Sequence, residues 1–240
     1  MEINICCSQY IWGYFFLIFK DNKNFKMITT TKQLLAKHKD IYKKATEHEV
    51  TNKLCQGTLS DRVFYAYLAQ DLQFFEVGMR LLCKIALRAP RISSFFTLSK
   101  TIGFFASDEN TYFHDCLAVL APSLSSEDKA TFDNTLLPGV DIYVRYMEEL
   151  TKGDFTYAQL ITCHWAGEQI YLQWAQTSRR KTGLHWKYQI WIDLHDSERF
   201  RNYVDFLANE VNQFPVEEVE EVFIKVVELE FEFFDRCYKA

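Results

Sequence analysis

Glycine and proline are scarce, with 8 and 4 in 240 residues. Folds built from many strands and turns need both, so their scarcity argues against a sandwich or a barrel. The seven cysteines are odd in number and contain no C-x-x-C pair. That excludes a zinc ribbon and a disulfide framework, and it reads as reduced thiols in a cytosolic protein. No lysine or arginine block occurs in a chain of formal charge -5, so no electrostatic footprint for nucleic acid is present. The acidic run Glu217, Glu218, Glu220, Glu221 reads as the solvated face and favourable first turn of the last helix. Long apolar runs are missing too. The stretch Tyr10 to Phe19 is ten residues, too short to span a bilayer, and it lacks a basic n-region and a small-residue cleavage site. No stable membrane association is expected. Met27 stands directly before a polar lead, Ile28 to Thr31, so residues 1–27 are expected to be an extension outside the fold and 28–240 a single domain.

What is present is hydrophobic and aromatic: 48% of residues are hydrophobic and 16% aromatic, with helix formers throughout. The expected class is all-α. Periodicity predicts helices over Lys32–Cys55, Asp61–Leu87, Ile92–Phe105, Ser107–Leu120, Ser126–Leu150, Thr156–Gln176, Gln189–Asn212 and Val216–Tyr238. Breaks are marked by Gly57-Thr58, Ala89-Pro90, Pro122-Ser123, Pro138-Gly139, Gly153, Gly183 and Pro215. Helices joined by short loops make a bundle, and bundles build sites from side chains on facing helices.

Three of these helices place a reactive group where the apolar stripe calls for a hydrophobic residue. Asp71 falls in the series Phe64, Leu68, Asp71, Phe75, Leu82. Glu230 falls in Val219, Phe223, Val226, Glu230, Phe233, Cys237, and Cys163 in Leu160, Cys163, Gly167, Ile170, Trp174. A carboxylate placed inward loses hydration that only hydrogen bonds or a partner charge restore, so it points to a site. The bland reading is a satisfied core carboxylate for each acid and an inert buried thiol for the cysteine. His164 and His48 read as structural or exposed, and Trp165 and Trp174 as core. Iron or heme finds little support: none of the six histidines has an acid four residues before it, and neither His114 nor His164 has one three before. No cofactor and no metal is expected.

The second helix is entered through Gly57-Thr58-Leu59, followed by Phe64, Tyr67 and Gln70-Asp71. With Cys163-His164-Trp165, and with Glu230 followed by Phe233-Phe234, this pattern resembles the TenA/thiaminase II family, as a divergent fungal-type member, over about residues 30–240. The resemblance implies a heme-oxygenase-like multi-helix bundle, a homo-oligomer, and a small-molecule pyrimidine ligand. It implies hydrolysis of thiamin, or of the 5-aminomethyl pyrimidine that thiamin yields on degradation, to the hydroxymethyl pyrimidine. By resemblance Cys163 adds to the ring as nucleophile, Glu230 transfers protons, Asp71 bonds the aminopyrimidine edge, and Phe233 stacks on the ring. The chain departs from the family where tyrosine is usual, with Phe74 three beyond Asp71, Gly167 four beyond Cys163, and His195 at a third position; Thr162 replaces a proline. His195 reads either as a donor replacing a phenol, its tautomer set by Asp193 and Asp196, or as a cap or solvent-facing residue near a helix start. The alternative function is a catalytically degenerate bundle that keeps the fold and binds a ligand or partner.

Overall fold

The computed structural model describes residues 28–106, 110–177 and 179–240. The expected extension over residues 1–27, and the expected helix start at Ser107, lie outside them. In chain order the helices are α1 (Thr30–Lys37), α2 (Lys39–Thr46), α3 (Glu49–Gln56), α4 (Asp61–Arg88), α5 (Ile92–Phe104), α6 (Asn110–Leu120), α7 (Ser126–Asn134), α8 (Pro138–Lys152), α9 (Tyr157–Ala175), α10 (Trp186–Asp196), α11 (Glu198–Val211) and α12 (Val216–Lys239). Among the described residues there is no strand, and no helix is long and apolar enough to cross a membrane.

Local chemistry sets these boundaries. Ser60, Ser125, Thr156 and Ser197 each accept a backbone N–H of the first turn they precede, and Thr156 forms a reciprocal capping box with Gln159. Gly57, at φ 67°, closes α3 in the left-handed conformation that a side chain would resist. Pro138 opens α8, where its missing N–H costs nothing.

Two expected helices are each broken without any glycine or proline. The span Lys32–Cys55 is three helices: His38 departs from helical geometry at φ -108° and ψ 29°, and His48 turns extended and caps α3 by accepting the Val50 N–H at 3.2 Å. The span Gln189–Asn212 is two, divided at Ser197, whose Oγ accepts the Phe200 N–H at 3.1 Å. A third expected helix, Ser126–Leu150, divides at the Pro138-Gly139 break.

Packing places α4, α8, α9 and α12 around one interior. α9 lies against α12 and α11, while α4 lies against α5, α8 and α6 and also meets α9 and α12. α8 runs parallel to α4: the Leu137 N–H donates to Gln70 Oε1 at 2.8 Å at one end, and Lys84 Nζ donates to the carbonyls of Leu150 and Gly153 at the other. Trp165 and Trp174 are fully buried in the core. Glu210 on α11 is also buried, accepting from Ser94 Oγ (3.0 Å), Tyr157 O–H (2.9 Å) and Arg91, so three separate segments are tied through one carboxylate.

Candidate functional site

A cavity of about 110 Å³ lies among α4, α8, α9, α10 and α12, enough for a ring-sized ligand and far more than one water needs. The helical period brings its walls together. On α4 the lining residues Asp71, Phe74, Phe75, Gly78 and Leu82 recur at intervals of three and four, and on α9 Cys163, Gly167 and Tyr171 recur at four. α8 contributes Tyr143 and Met147, α12 contributes Glu230, and α10 contributes Trp191 and His195.

Six of the seven residues singled out from the sequence, namely Asp71, Phe74, Cys163, Gly167, His195 and Glu230, line this one cavity. Phe233 is buried among the rings behind it, with centroids 5.7 Å from Phe74 and 5.9 Å from Tyr67.

Glu230 accepts a hydrogen bond from the Tyr143 O–H at 2.9 Å. Burial pushes its carboxyl up to about 8, against the pull of the phenol, and the nearby Asp71 adds to the rise. Asp71 accepts a longer bond, 3.5 Å, from Tyr171 O–H, and burial pushes it up to about 7. Behind it the Trp191 indole N–H donates to Tyr67 (3.1 Å), whose O–H donates to Tyr171 (3.3 Å). Burial keeps all three phenols, Tyr67, Tyr143 and Tyr171, protonated and able to donate. The Cys163 thiol is pushed well above its ordinary range, first by burial and then by the negative charge that Glu230 would carry.

Gly167 and Gly78 shape the walls in opposite ways. A Cβ on Gly167 would stand 3.2 Å from Glu230 Oε1 and 3.8 Å from the Tyr143 oxygen, so the bare backbone of α9 is what lets the carboxyl lie there. A Cβ on Gly78 would meet nothing within 4 Å.

Of the two readings of His195, the geometry disagrees with the cap or solvent-facing one. It is buried at the C-terminal end of α10, so it neither caps a helix start nor faces solvent. Its Nδ1 lies 2.8 Å from the Trp191 carbonyl, which can only accept. Nδ1 therefore carries the proton, burial lowers the pKa to about 4, and Nε2 is left as an acceptor rather than a donor. Asp193 and Asp196 take no part in this; they pair with Arg180, and Asp196 also with Arg201. His164, read from sequence as structural or exposed, lies half-buried in the cavity wall with Nε2 2.7 Å from the Tyr203 hydroxyl. His48 is the structural cap already described.

Sequence reasoning passed over Tyr143, Tyr171, Trp191 and Gly78. Tyr171 carried a usable signal: it follows Cys163 and Gly167 at the same four-residue interval. Tyr143 did not, because an aromatic residue in the stripe Val140, Tyr143, Met147 has the pattern of any core residue. Among the described residues no group of three or more His, Cys, Asp or Glu side chains is placed to hold a metal ion.

Comparison with known proteins gives the fold a lineage. The chain aligns at 24% identity over 157 residues, 61% of its length, with a probable bifunctional TENA-E protein from Glycine max, and spans 62% of that relative's length. Among solved structures, a TenA homologue from P. horikoshii superposes with a TM-score of 0.75 at 19% identity, covering 88% of this chain and 99% of that one. A putative TenA-like thiaminase from Sulfolobus solfataricus superposes with a TM-score of 0.71 at 16% identity, covering 89% and 97%. The model of the TENA/THI-4/PQQC family matches residues 35–240, and the chain belongs to that family.

Proposed function

We propose that the cavity hydrolyses a thiamin-derived aminopyrimidine, replacing the amine on the 5-methylene carbon by hydroxyl, as a step of thiamin salvage. The observation that carries this reading is the convergence of Asp71, Cys163 and Glu230, from three different helices, on one ring-sized cavity. Membership of the family supports it, as does the thiaminase name borne by one structural relative.

Each residue suits its part. Asp71 accepts from the exocyclic amino group, and with a pKa of about 7 it can also share a proton with a ring nitrogen at neutral pH. Cys163 adds to a ring carbon as its thiol proton passes to the adjacent ring nitrogen, which breaks aromaticity and eases departure of the amine, dividing one hard step into two. Glu230 holds its proton up to about pH 8, so it can pass that proton to the leaving nitrogen. As the carboxylate, held by Tyr143 O–H, it then takes one from the incoming water.

One observation favours the second reading, a bundle that binds its ligand without turnover. Burial and Glu230 both raise the Cys163 pKa, so no thiolate stands ready in the free protein. Product formation from the 5-aminomethyl pyrimidine separates the two. Turnover by wild type, lost in Cys163→Ala and in Glu230→Gln, is the expected result. Binding with no turnover above a Cys163→Ala/Glu230→Gln double variant would establish the second reading instead.

A further inference from the structure

The helix α5 turns its bulkier apolar residues outward. From Ile92 to Phe104 its buried residues are Ser94, Leu98 and Thr101, two of which carry hydroxyls. Ile92, Phe95 and Phe96 share the opposite side at the three-and-four spacing of a helix, and they stand 68%, 38% and 55% exposed. The Phe95 and Phe96 ring centroids lie 5.9 Å apart. Leu87, in the last turn of α4 across the Ala89-Pro90 corner, is 81% exposed. A surface helix ordinarily keeps its apolar stripe inward, so large apolar side chains gathered outward mark a face that another apolar element covers.

The described chain begins beside this face. Thr30 Oγ1 donates to the Phe214 carbonyl at 2.6 Å and the Thr31 N–H to Asn212 Oδ1 at 2.9 Å, which fixes the start of α1 at the C-terminal end of α11. Arg91 and Ser94, at the start of α5, donate to Glu210 at that same end. Residues 210 and 214 are four apart in sequence, so their backbones stand at most about 14 Å from one another. Phe19 ends the apolar run that begins at Tyr10, and it precedes Ile28 by nine positions, a reach of about 30 Å when extended. The linking residues include Lys20, Lys23 and Lys26. The first turn of α12, beginning two residues beyond Phe214, presents the exposed acids Glu217 and Glu218, a charge complementary to those lysines.

We infer that the apolar run Tyr10 to Phe19 packs back on the outward face of α5, over Ile92, Phe95 and Phe96, as an intramolecular cover. The contact takes two apolar surfaces out of water together, and it leaves the lysines of the linker in solvent beside the acids of α12. Joined by so short a linker, the run meets the face at an effective concentration on the order of millimolar, which favours it over a separate chain.

The test uses the full chain with a photoreactive Phe96→p-benzoylphenylalanine substitution, irradiated as an equal mixture of isotope-labelled and unlabelled protein, with adducts mapped by mass spectrometry. Adducts on residues 10–19 whose two ends come from the same isotopic copy are the expected result. Adducts that join labelled to unlabelled chains would make this face an interface between copies and overturn the inference, as would the absence of any adduct on residues 10–19. Hydrogen exchange of the full chain supplies a second reading, for wild type beside an Ile92→Lys/Phe96→Lys variant. The amides of residues 10–19 should exchange slowly in wild type and lose that protection in the variant, while α9 and α12 keep theirs in both. Fast exchange over residues 10–19 in wild type, or protection unchanged in the variant, would overturn the inference.

Discussion

Replacing Glu230 by glutamine should change not only activity but the pH dependence of stability, and the size of that change follows from where the carboxyl sits. In the unfolded chain the group titrates near its ordinary value of 4.5; in the folded protein burial raises it to about 8. Between those values the unfolded chain has released a proton that the folded protein keeps. Stability from this group is therefore complete below about pH 4.5 and is lost as the pH rises toward 8, with a slope of ~1.4 kcal/mol per pH unit. From pH 5 to pH 8 the loss amounts to ~3 kcal/mol, which for a chain of this length is a fall in melting temperature of roughly 6–12 °C. The substituted glutamine would carry no charge, and its carbonyl oxygen can still accept from Tyr143 O–H. Asp71, whose pKa is raised for the same reason, is present in both proteins and largely cancels in the comparison. Urea denaturation of wild type and Glu230→Gln at pH 5, 6.5 and 8 should show the variant gaining on wild type steadily, by ~3 kcal/mol across the range. Parallel curves, differing by a constant from pH 5 to pH 8, would refute the claim that a buried, proton-holding carboxyl occupies this position.

Three further outcomes follow from the same geometry. In Gly167→Ala, the new methyl presses on Glu230 Oε1 from 3.2 Å, so turnover of the aminomethyl pyrimidine should drop about tenfold while the helix melts no lower; an unchanged rate would mean that the carboxyl has no need of its present place. Tyr171→Phe removes the donor to Asp71 and the acceptor for Tyr67, so pyrimidine affinity measured by calorimetry should weaken by ~1 kcal/mol and the Asp71 titration should move to higher pH. Its affinity remaining at the wild-type level would detach the phenol from ligand binding. Glu210→Ala strands the Arg91, Ser94 and Tyr157 donors at the junction of three segments and should cost ~3 kcal/mol in denaturant unfolding; a loss below about 1 kcal/mol would show the cluster to be replaceable by water.

Much of this architecture was legible in the chain. Asp71 and Glu230 interrupt apolar stripes, and an interruption by a group that dislikes burial is the strongest local signal a helix can give; Cys163 sits in its stripe as a thiol that burial tolerates. Their convergence on one cavity needed the fold. Tyr143 was hidden for the opposite reason: it fits its stripe, so its hydroxyl made no mark on the hydrophobic pattern, whereas Tyr171 was marked only by its four-residue spacing from Cys163 and Gly167. Helix lengths failed where side chains other than glycine and proline do the breaking. His48 caps α3 through a ring nitrogen, an uncommon use, whereas Ser197 is an ordinary cap that the surrounding apolar periodicity concealed. The cap reading of His195 arose with it, because a helix running unbroken from Gln189 to Asn212 puts that residue near a start, while the true break puts it at an end, beside Trp191, Tyr171 and Phe200.

The central claim is that the cavity binds an aminopyrimidine through Asp71. Thermal unfolding with thiamin, the aminomethyl pyrimidine and the hydroxymethyl pyrimidine, for wild type beside Asp71→Ala, tests it most directly. A ligand at about a hundred times its dissociation constant stabilises by ~2.7 kcal/mol, well within the reach of a melting curve. A rise in melting temperature with at least one pyrimidine, abolished in Asp71→Ala, is the predicted result; no rise with any of the three, or an equal rise in the variant, would contradict it.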